Sequence, residues 1–324
     1  MRFGILGAAK FARQHMGPAI HAAKGAELVA LATSDPAKAD GFKAFTPGLQ
    51  VYADYDALLA DPAIDAVYIP LPNHLHVPWA VKALKAGKHV LVEKPLALSA
   101  DDFAPVIAAR DKAGKLAAEA FMIVHHPQFA RARALVQGGA IGALVHVDAV
   151  FSYNNTGDVT NIRRDPAKGG GGLYDIGVYT FGAARFVTGA EPVAVPYAKL
   201  AYENGVDVFA QVAADFPDFT YSAQVSMRMF NRQYITFHGD KGVLTLTCPF
   251  NANVFGLSEL VLENEKHVRT HERWPAENHY VTQVENFVAS ATTGADYPCP
   301  LEFSQGTQKM MDMVFAAGGQ NDSA

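Results

Sequence analysis

"RFGILGAAKFA", residues 2–12, passes from a short apolar strand pattern through a turn of small residues into a helical pattern. Gly7-Ala8-Ala9-Lys10-Phe11-Ala12 reads G-x-A-x-x-A where a dinucleotide fingerprint reads G-x-G-x-x-G. Gly7 permits the tight turn, and Ala9 and Ala12 are small enough for a dinucleotide backbone and for close helix packing. The helix N-terminus then faces a pyrophosphate. A small-residue turn between strand and helix also occurs without any ligand, so the stretch is read with its surroundings.

Moving outward, "AELVALAT" (26–33), "DAVYIPLP" (65–72), "HVLVEK" (89–94) and "KLAAEAF" (115–121) read as further strands. Segments at helical spacing separate them, such as "HVPWAVKALKAGK" (76–88), where Val77, Ala80, Val81 and Leu84 share one face. Strands alternating with helices predict βαβ units and an α/β Rossmann domain, a doubly wound parallel sheet, over residues 1–121. After "HHPQFARARALVQGGAIG" (125–142), a helix and a turn, the rhythm changes. "LVHVDAVFSYN" (144–154), "DVFAQVAADF" (207–216), "FTYSAQVSMRM" (219–229), "QYITFHG" (233–239) and "GVLTLT" (242–247) read as strands joined by turn residues. "AENHYVTQVENFVASATTG" (276–294) and "LEFSQGTQKMMDMVFAAGG" (301–319) read as helices. Residues 122–324 are therefore expected to form an α+β domain on a large, mostly antiparallel, open-faced sheet.

Bulk properties narrow the function. At 324 residues two domains are the better expectation, and 50% hydrophobic with 18% charged residues is ordinary for a soluble globular chain. A formal net charge of -5 gives no electrostatic footprint for nucleic acid or anionic membrane. Cys248 and Cys299 form no CxxC pair, which argues against a disulfide framework or a cysteine-rich zinc site. The chain opens directly on a strand pattern, and no run is long enough to span a bilayer. A reducing cytoplasm is the expected home.

The end of the second strand bears on the cofactor. An NAD site usually presents Asp or Glu there to bond the ribose 2′-OH. Here stand Thr33 and Ser34, with Lys38 one turn later. Hydroxyls accept a 2′-phosphate without repelling it, and Lys38 offsets its charge, so NADP is favoured over NAD. The competing reading makes these residues, with Asp35, the cap of "DPAKADGF".

The chain resembles the glucose-fructose oxidoreductase/inositol dehydrogenase/rhizopine-catabolism (Gfo/Idh/MocA) family. "GILGAAKFA", "IPLPNHLH" (69–76), "HVLVEKPLA" (89–97), "EAFMIVHHPQF" (119–129) and "GGGGLYDIGVYTF" (169–181) carry the likeness, in the family's order over about the first 190 residues. It implies a Rossmann domain, an open-faced sheet domain that pairs into a homodimer or dimer of dimers, and hydride transfer between NAD(P) and a sugar. The branch it is most similar to contains sugar and trans-dihydrodiol dehydrogenases.

The same resemblance assigns Gly7, Ala8, Ala9, Lys10 and Phe11, with Pro72, Asn73, His76, Glu93 and Lys94, to the cofactor side. It puts Lys94, Asp175 and Tyr179 at the reaction, with a cis bond before Pro95. Ligands in open α/β sheets bind beyond the strand C-termini, which is where Lys94 falls. Asp175 and Tyr179, four apart, share a face if "GLYDIGVYTFGAARFV" is a helix, and glycines 169–172 would let backbone approach a substrate. Oxidising an alcohol requires removing its hydroxyl proton. A free phenol titrates near 10, and a neighbouring ammonium lowers that value. Tyr179 is thus expected to move the proton, Lys94 to tune it and hydrogen-bond the reacting oxygen, and Asp175 to orient lysine or sugar; Lys94 acting as the base is the alternative.

His126 and Arg163 are further candidate substrate contacts, set against a packing pair with His125 and a solvated loop charge. His74 and His76 form H-x-H without a third ligand at metal spacing, so no metal is expected. Aldose oxidation at C1 or keto-sugar reduction is the expected activity. Trans-dihydrodiol oxidation, a regulatory relative that binds without turnover, and NAD-assisted glycoside hydrolysis are the alternatives.

Overall fold

In the computed structural model, which describes residues 1–319, the opening strand pattern becomes β1 (Arg2–Leu6), and all of it after Arg2 is buried. Alternation then continues through α1 (Gly17–Ala22), β2 (Glu27–Ala32), α2 (Asp40–Lys43), β3 (Gln50–Tyr52), α3 (Tyr55–Ala60) and β4 (Ala66–Ile69). It closes with α4 (His76–Lys85), β5 (His89–Val92), α5 (Phe103–Ala113) and β6 (Ala117–Glu119). The six strands pair in parallel in the order β3-β2-β1-β4-β5-β6, the doubly wound arrangement expected. Strand order reverses between β1 and β4, where Ile5 lies opposite Tyr68. Helices cover both faces, so β4 is buried at every position and its β-branched and aromatic side chains fill the core. Local signals set the ends of elements. Asp54 caps α3 by accepting from Ala57 N at 2.7 Å, and Gly114 stops α5 in a left-handed conformation.

The second half contains α6 (Pro127–Gln137), β7 (Leu144–Asn154), α7 (Val178–Thr188), β8 (Ala194–Glu203), β9 (Val206–Asp215) and β10 (Thr220–Ser226). It continues with β11 (Arg228–Gly239), β12 (Gly242–Leu246), β13 (Glu259–Asn264) and β14 (Arg269–Arg273), then α8 (His279–Thr293) and α9 (Leu301–Gly318). The eight strands run β14-β13-β12-β11-β7-β10-β9-β8, and only β7 with β10 pairs in parallel. Period-two alternation decides the faces: Tyr221, Ala223 and Val225 are buried, and Phe181 of α7 packs edge-on against Tyr221. On the other face His146, Asp148, Thr220, Ser222, Thr236 and His238 stand in register on neighbouring strands.

Two compact units result: Met1–His125 with His279–Ser304, and His126–Asn278 with the chain from Gln305 on. α8 therefore packs with the Rossmann sheet, its Phe287 ring 5.9 Å from that of Phe3, although the sequence reading placed it with the second domain. Strands β3, β8, β13 and β14 escaped that reading too. β3 has three residues, and β14 is entirely polar, stabilised by Arg273–Glu259, His271–Glu259 and Arg269–Glu263 pairs to β13. Among the described residues no helix is long and apolar enough to cross a membrane.

Candidate active site

In the first unit the site begins at Gly7. Its φ of +103° suits glycine, its N–H donates to Ala32 O at 2.9 Å, and a Cβ there would lie 2.9 Å from Leu71 Cδ2. Conformation and packing both reserve this tight turn for glycine, as the strand-to-helix turn of a dinucleotide site requires. Ala8, Ala9 and Phe11 are half-buried and Lys10 is exposed. A π-helical turn, Ala12–Met16, follows; such turns recur at functional sites. Arg13 from that turn is exposed and lies along Gly41 of α2, where any Cβ would overlap its side chain.

At the end of β2, Thr33 is buried and committed locally: its hydroxyl donates to Asp35 O and accepts from Asp35 N, both at 3.2 Å. Asp35 accepts from Ala37 N, so the cap reading holds for these two. Ser34 and Lys38 remain exposed, with the Lys38 ammonium 3.9 Å from the Asp35 carboxylate. Arg13, the residue directly after the opening stretch, was not singled out from sequence.

β5 stops at Val92, two residues earlier than the sequence suggested, and the peptide between Lys94 and Pro95 is cis. Lys94 and Glu93 are half-buried. The Glu93 carboxyl is pushed up to about 7 by burial, against the opposing pull of the Tyr68 hydroxyl, which donates to Oε1 at 2.5 Å, and of the Lys94 charge. Pro72 and Asn73 are half-buried in the loop entering α4. His76 has a different placement from the one expected. It is fully buried, with Nδ1 2.8 Å from Pro95 O and Nε2 2.7 Å from Leu71 O, so both nitrogens face backbone rather than a cofactor. Desolvation takes it down to about 4, although both carbonyls pull the other way. His74, its H-x-H partner, is exposed.

In the second unit glycines 169–172 serve the protein's own backbone. A Cβ on Gly170 would lie 2.5 Å from Arg163 O, and one on Gly171, at φ +134°, would overlap Asp207. Asp207 is buried and accepts from Leu173 N at 2.7 Å; desolvation still raises it to about 7. The helix begins as a π-turn, Leu173–Gly177, and continues as α7, carrying Asp175 and Tyr179. Asp175 is nearly buried, with Arg163 Nε 2.7 Å from Oδ1 and Tyr153 OH donating to Oδ2 at 2.6 Å. The Asp175 carboxylate raises the Arg163 guanidinium, and burial with that carboxylate raises the Tyr153 phenol. Tyr153 was absent from the sequence reading; its place inside a strand pattern gave no chemical signal. Tyr179 is 5% exposed, its ring 5.7 Å from Phe151 and 6.0 Å from Phe250, so its position is set by packing. His126 is buried and its Nδ1 accepts from Gln128 N at 3.1 Å, making it the cap of α6 rather than an open substrate contact.

Comparison with known proteins places these features in a family. The oxidoreductase family with an NAD-binding Rossmann fold, GFO/IDH/MocA, matches residues 1–121, and the GFO/IDH/MocA C-terminal domain matches residues 129–245. An uncharacterized oxidoreductase, ORF334, of Rhizobium meliloti is 38% identical over 97% of this chain and 96% of its own length. D-xylose 1-dehydrogenase (NADP(+)) 2 of Haloferax volcanii is 33% identical over 97% of this chain and 96% of its own. The crystal structure of KijD10, a 3-ketoreductase from Actinomadura kijaniata in complex with NADP and TDP-benzene, superposes with a TM-score of 0.88 at 29% identity, covering 97% of this chain and 96% of that one. This chain belongs to the GFO/IDH/MocA oxidoreductase family.

Proposed function

We propose that the chain is an NADP-preferring oxidoreductase that transfers a hydride between a nicotinamide and a carbon of a sugar, oxidising an aldose at C1 or reducing a keto-sugar. The observation that carries this is the Gly7 turn at the end of β1, held at φ +103° and packed too closely against Leu71 to admit a Cβ, in a chain that also holds the Arg163–Asp175–Tyr153 group and Tyr179. Relatives of the same length named as an NADP-dependent xylose dehydrogenase and a 3-ketoreductase with bound NADP support it.

Gly7 through Phe11 would hold the pyrophosphate, and Pro72 and Asn73 would flank the dinucleotide. Ser34, Lys38 and Arg13 offer a hydroxyl and two cations to a 2′-phosphate. Once bound, the nicotinamide supplies the hydride acceptor or donor. Lys94 hydrogen-bonds the reacting oxygen and stabilises charge developing on it. Tyr179 exchanges the hydroxyl proton with that oxygen. Asp175 holds Arg163, whose remaining N–H groups are suited to sugar hydroxyls. We further propose that two copies pair through the open sheet face. By the same reading the protein works in the cytoplasm, where the buried Cys248 and Cys299 stay reduced.

The test is turnover of aldoses, keto-sugars and dihydrodiols with each nicotinamide, followed at the reduced-nicotinamide absorbance band. Tyr179→Phe and Lys94→Ala are each expected to lower kcat by roughly 100-fold or more. Tight NADP binding without turnover of any substrate would instead identify a sensor.

A further inference from the structure

Beyond β5 the chain turns through Lys94-Pro95-Leu96, and each of these residues is tied by a different ionisable side chain of the first unit. Glu93 Oε2 accepts from Lys94 N at 3.3 Å, and His76 Nδ1 lies 2.8 Å from Pro95 O. Glu119 Oε1 accepts from Leu96 N at 2.7 Å. The ties are themselves anchored. Tyr68, fully buried on β4, holds Glu93, and His76 is fixed by its complete burial at the start of α4. Glu119 is 3% exposed and His76 0%. Burying ionisable groups carries a desolvation penalty that an ordinary surface turn has no need to incur. A serine or asparagine would satisfy a turn amide at the surface. Here a carboxylate from β6 and an imidazole from α4 reach the same turn from separate elements.

We infer that Glu119 and His76 are positioning residues that fix the Lys94 turn and so present its ammonium at one place. This rests on the role proposed above for Lys94. Neither residue need touch substrate. Each acts on a backbone atom one or two residues beyond the lysine, and a displacement of about 1 Å at a reacting group costs on the order of 100-fold in rate.

Reach can be separated from charge by two substitutions. Glu119→Gln keeps an oxygen at the same reach and loses the charge, whereas Glu119→Asp keeps the charge and falls one methylene short of Leu96 N. Positioning predicts that Glu119→Asp loses kcat by roughly 30- to 100-fold, with the NADP dissociation constant, read by fluorescence, changed less than about threefold. Glu119→Gln should lose less than about fivefold. A kcat for Glu119→Asp near that of the parent, or a larger loss in Glu119→Gln than in Glu119→Asp, overturns the inference. Should Glu119→Asp not fold, His76→Gln must show the same loss confined to kcat, and a parent-like kcat there overturns it equally. Lys94→Ala, measured alongside, separates the two levels. Undiminished turnover in that variant removes the catalytic role of Lys94 and the inference with it. An inactive Lys94→Ala beside a fully active Glu119→Asp removes the inference alone.

Discussion

Arg163 Nε sits 2.7 Å from Asp175 Oδ1, while the other carboxylate oxygen takes the Tyr153 hydroxyl at 2.6 Å. Each oxygen of Asp175 therefore already serves a neighbour in its own unit, which makes it a holder of the guanidinium. The Arg163 side chain is 42% exposed, so the pair is not a deeply buried one and its worth to stability is modest, about 1 kcal/mol. Arg163→Met is expected to raise the sugar KM about tenfold, the loss of about 1.4 kcal/mol, with a smaller change in kcat. Asp175→Asn should shift KM in the same direction, because the amide no longer holds the cation. Steady-state kinetics on both variants checks this; a loss confined to kcat would move Arg163 from binding into the chemical step.

The proposed discriminator of the cofactor is the end of β2. Ser34 is exposed there beside Lys38, and the carboxylate of Asp35 is engaged by Ala37 N. Ser34→Asp would set a second carboxylate where a 2′-phosphate lies and where a free ribose hydroxyl could be bonded. The ratio of kcat/KM for NADP over NAD is expected to fall on the order of 100-fold, and Arg13→Ala should lower it by roughly 10-fold. Unchanged ratios in both variants would exclude this end of the strand as the discriminator.

Asp207 links pH to stability. Burial raises its carboxyl from 3.8 to about 7, so between those values the folded protein binds the proton more tightly than the unfolded chain does. Its contribution is present in full below about 3.8 and is lost as pH rises through 7. His76, His125 and His126 act in the opposite sense. Burial takes them to about 4, 3 and 4, and their contribution is lost as pH falls below 6.5. Asp207→Asn keeps an acceptor for Leu173 N without titrating. Relative to the parent it should be most stabilised at pH 8 and least at pH 4, by at most about 4 kcal/mol across the range. Thermal melts of both proteins at the two pH values decide it; a constant difference would mean that Asp207 titrates normally.

The Rossmann half was legible, apart from the short and partly exposed β3, because its central strands are buried on both faces. Runs such as "AVYI" and "HVLV", short and rich in β-branched residues between helical segments, read as buried strands. Motif residues within one local turn, Gly7 or Lys94, were likewise visible. What escaped depends on contacts distant in sequence. Tyr153 reaches Asp175 from β7, 22 residues earlier, and Glu119 reaches Leu96 from β6, 23 residues later. α8 looks like any amphipathic helix, and nothing in its periodicity says that Phe287 meets Phe3 at the other end of the chain. His76 and His126 illustrate the reverse error. The resemblance set them beside cofactor and substrate, yet one is buried with its nitrogens against the backbone carbonyls of Pro95 and Leu71 and the other caps a helix. The glycines at 169–172 were expected to let backbone approach a substrate; the close neighbours found are Arg163 O and Asp207.

The face of the large sheet opposite α7 bears on assembly. His146 bridges Thr220 and Ser222 at 2.7 and 3.0 Å, Ser222 donates to Asp148 at 3.1 Å, and Thr236 meets Thr245 at 3.2 Å. These polar groups are largely satisfied within the sheet, so a second copy could cover them without stranding donors. A stable pairing through this face would have to bury an area of standard interface size, about 1,600 Å². Thr236 lies directly opposite Asp148, so Thr236→Glu sets two carboxylates side by side at the centre of that face in each copy. Sedimentation velocity is expected to give a dimer for the parent at micromolar concentration and a monomer for Thr236→Glu at neutral pH. NADP affinity should hold, because the residues proposed for the cofactor lie in the first unit. A parent that sediments as a monomer, or a Thr236→Glu protein that stays dimeric, excludes pairing through this face.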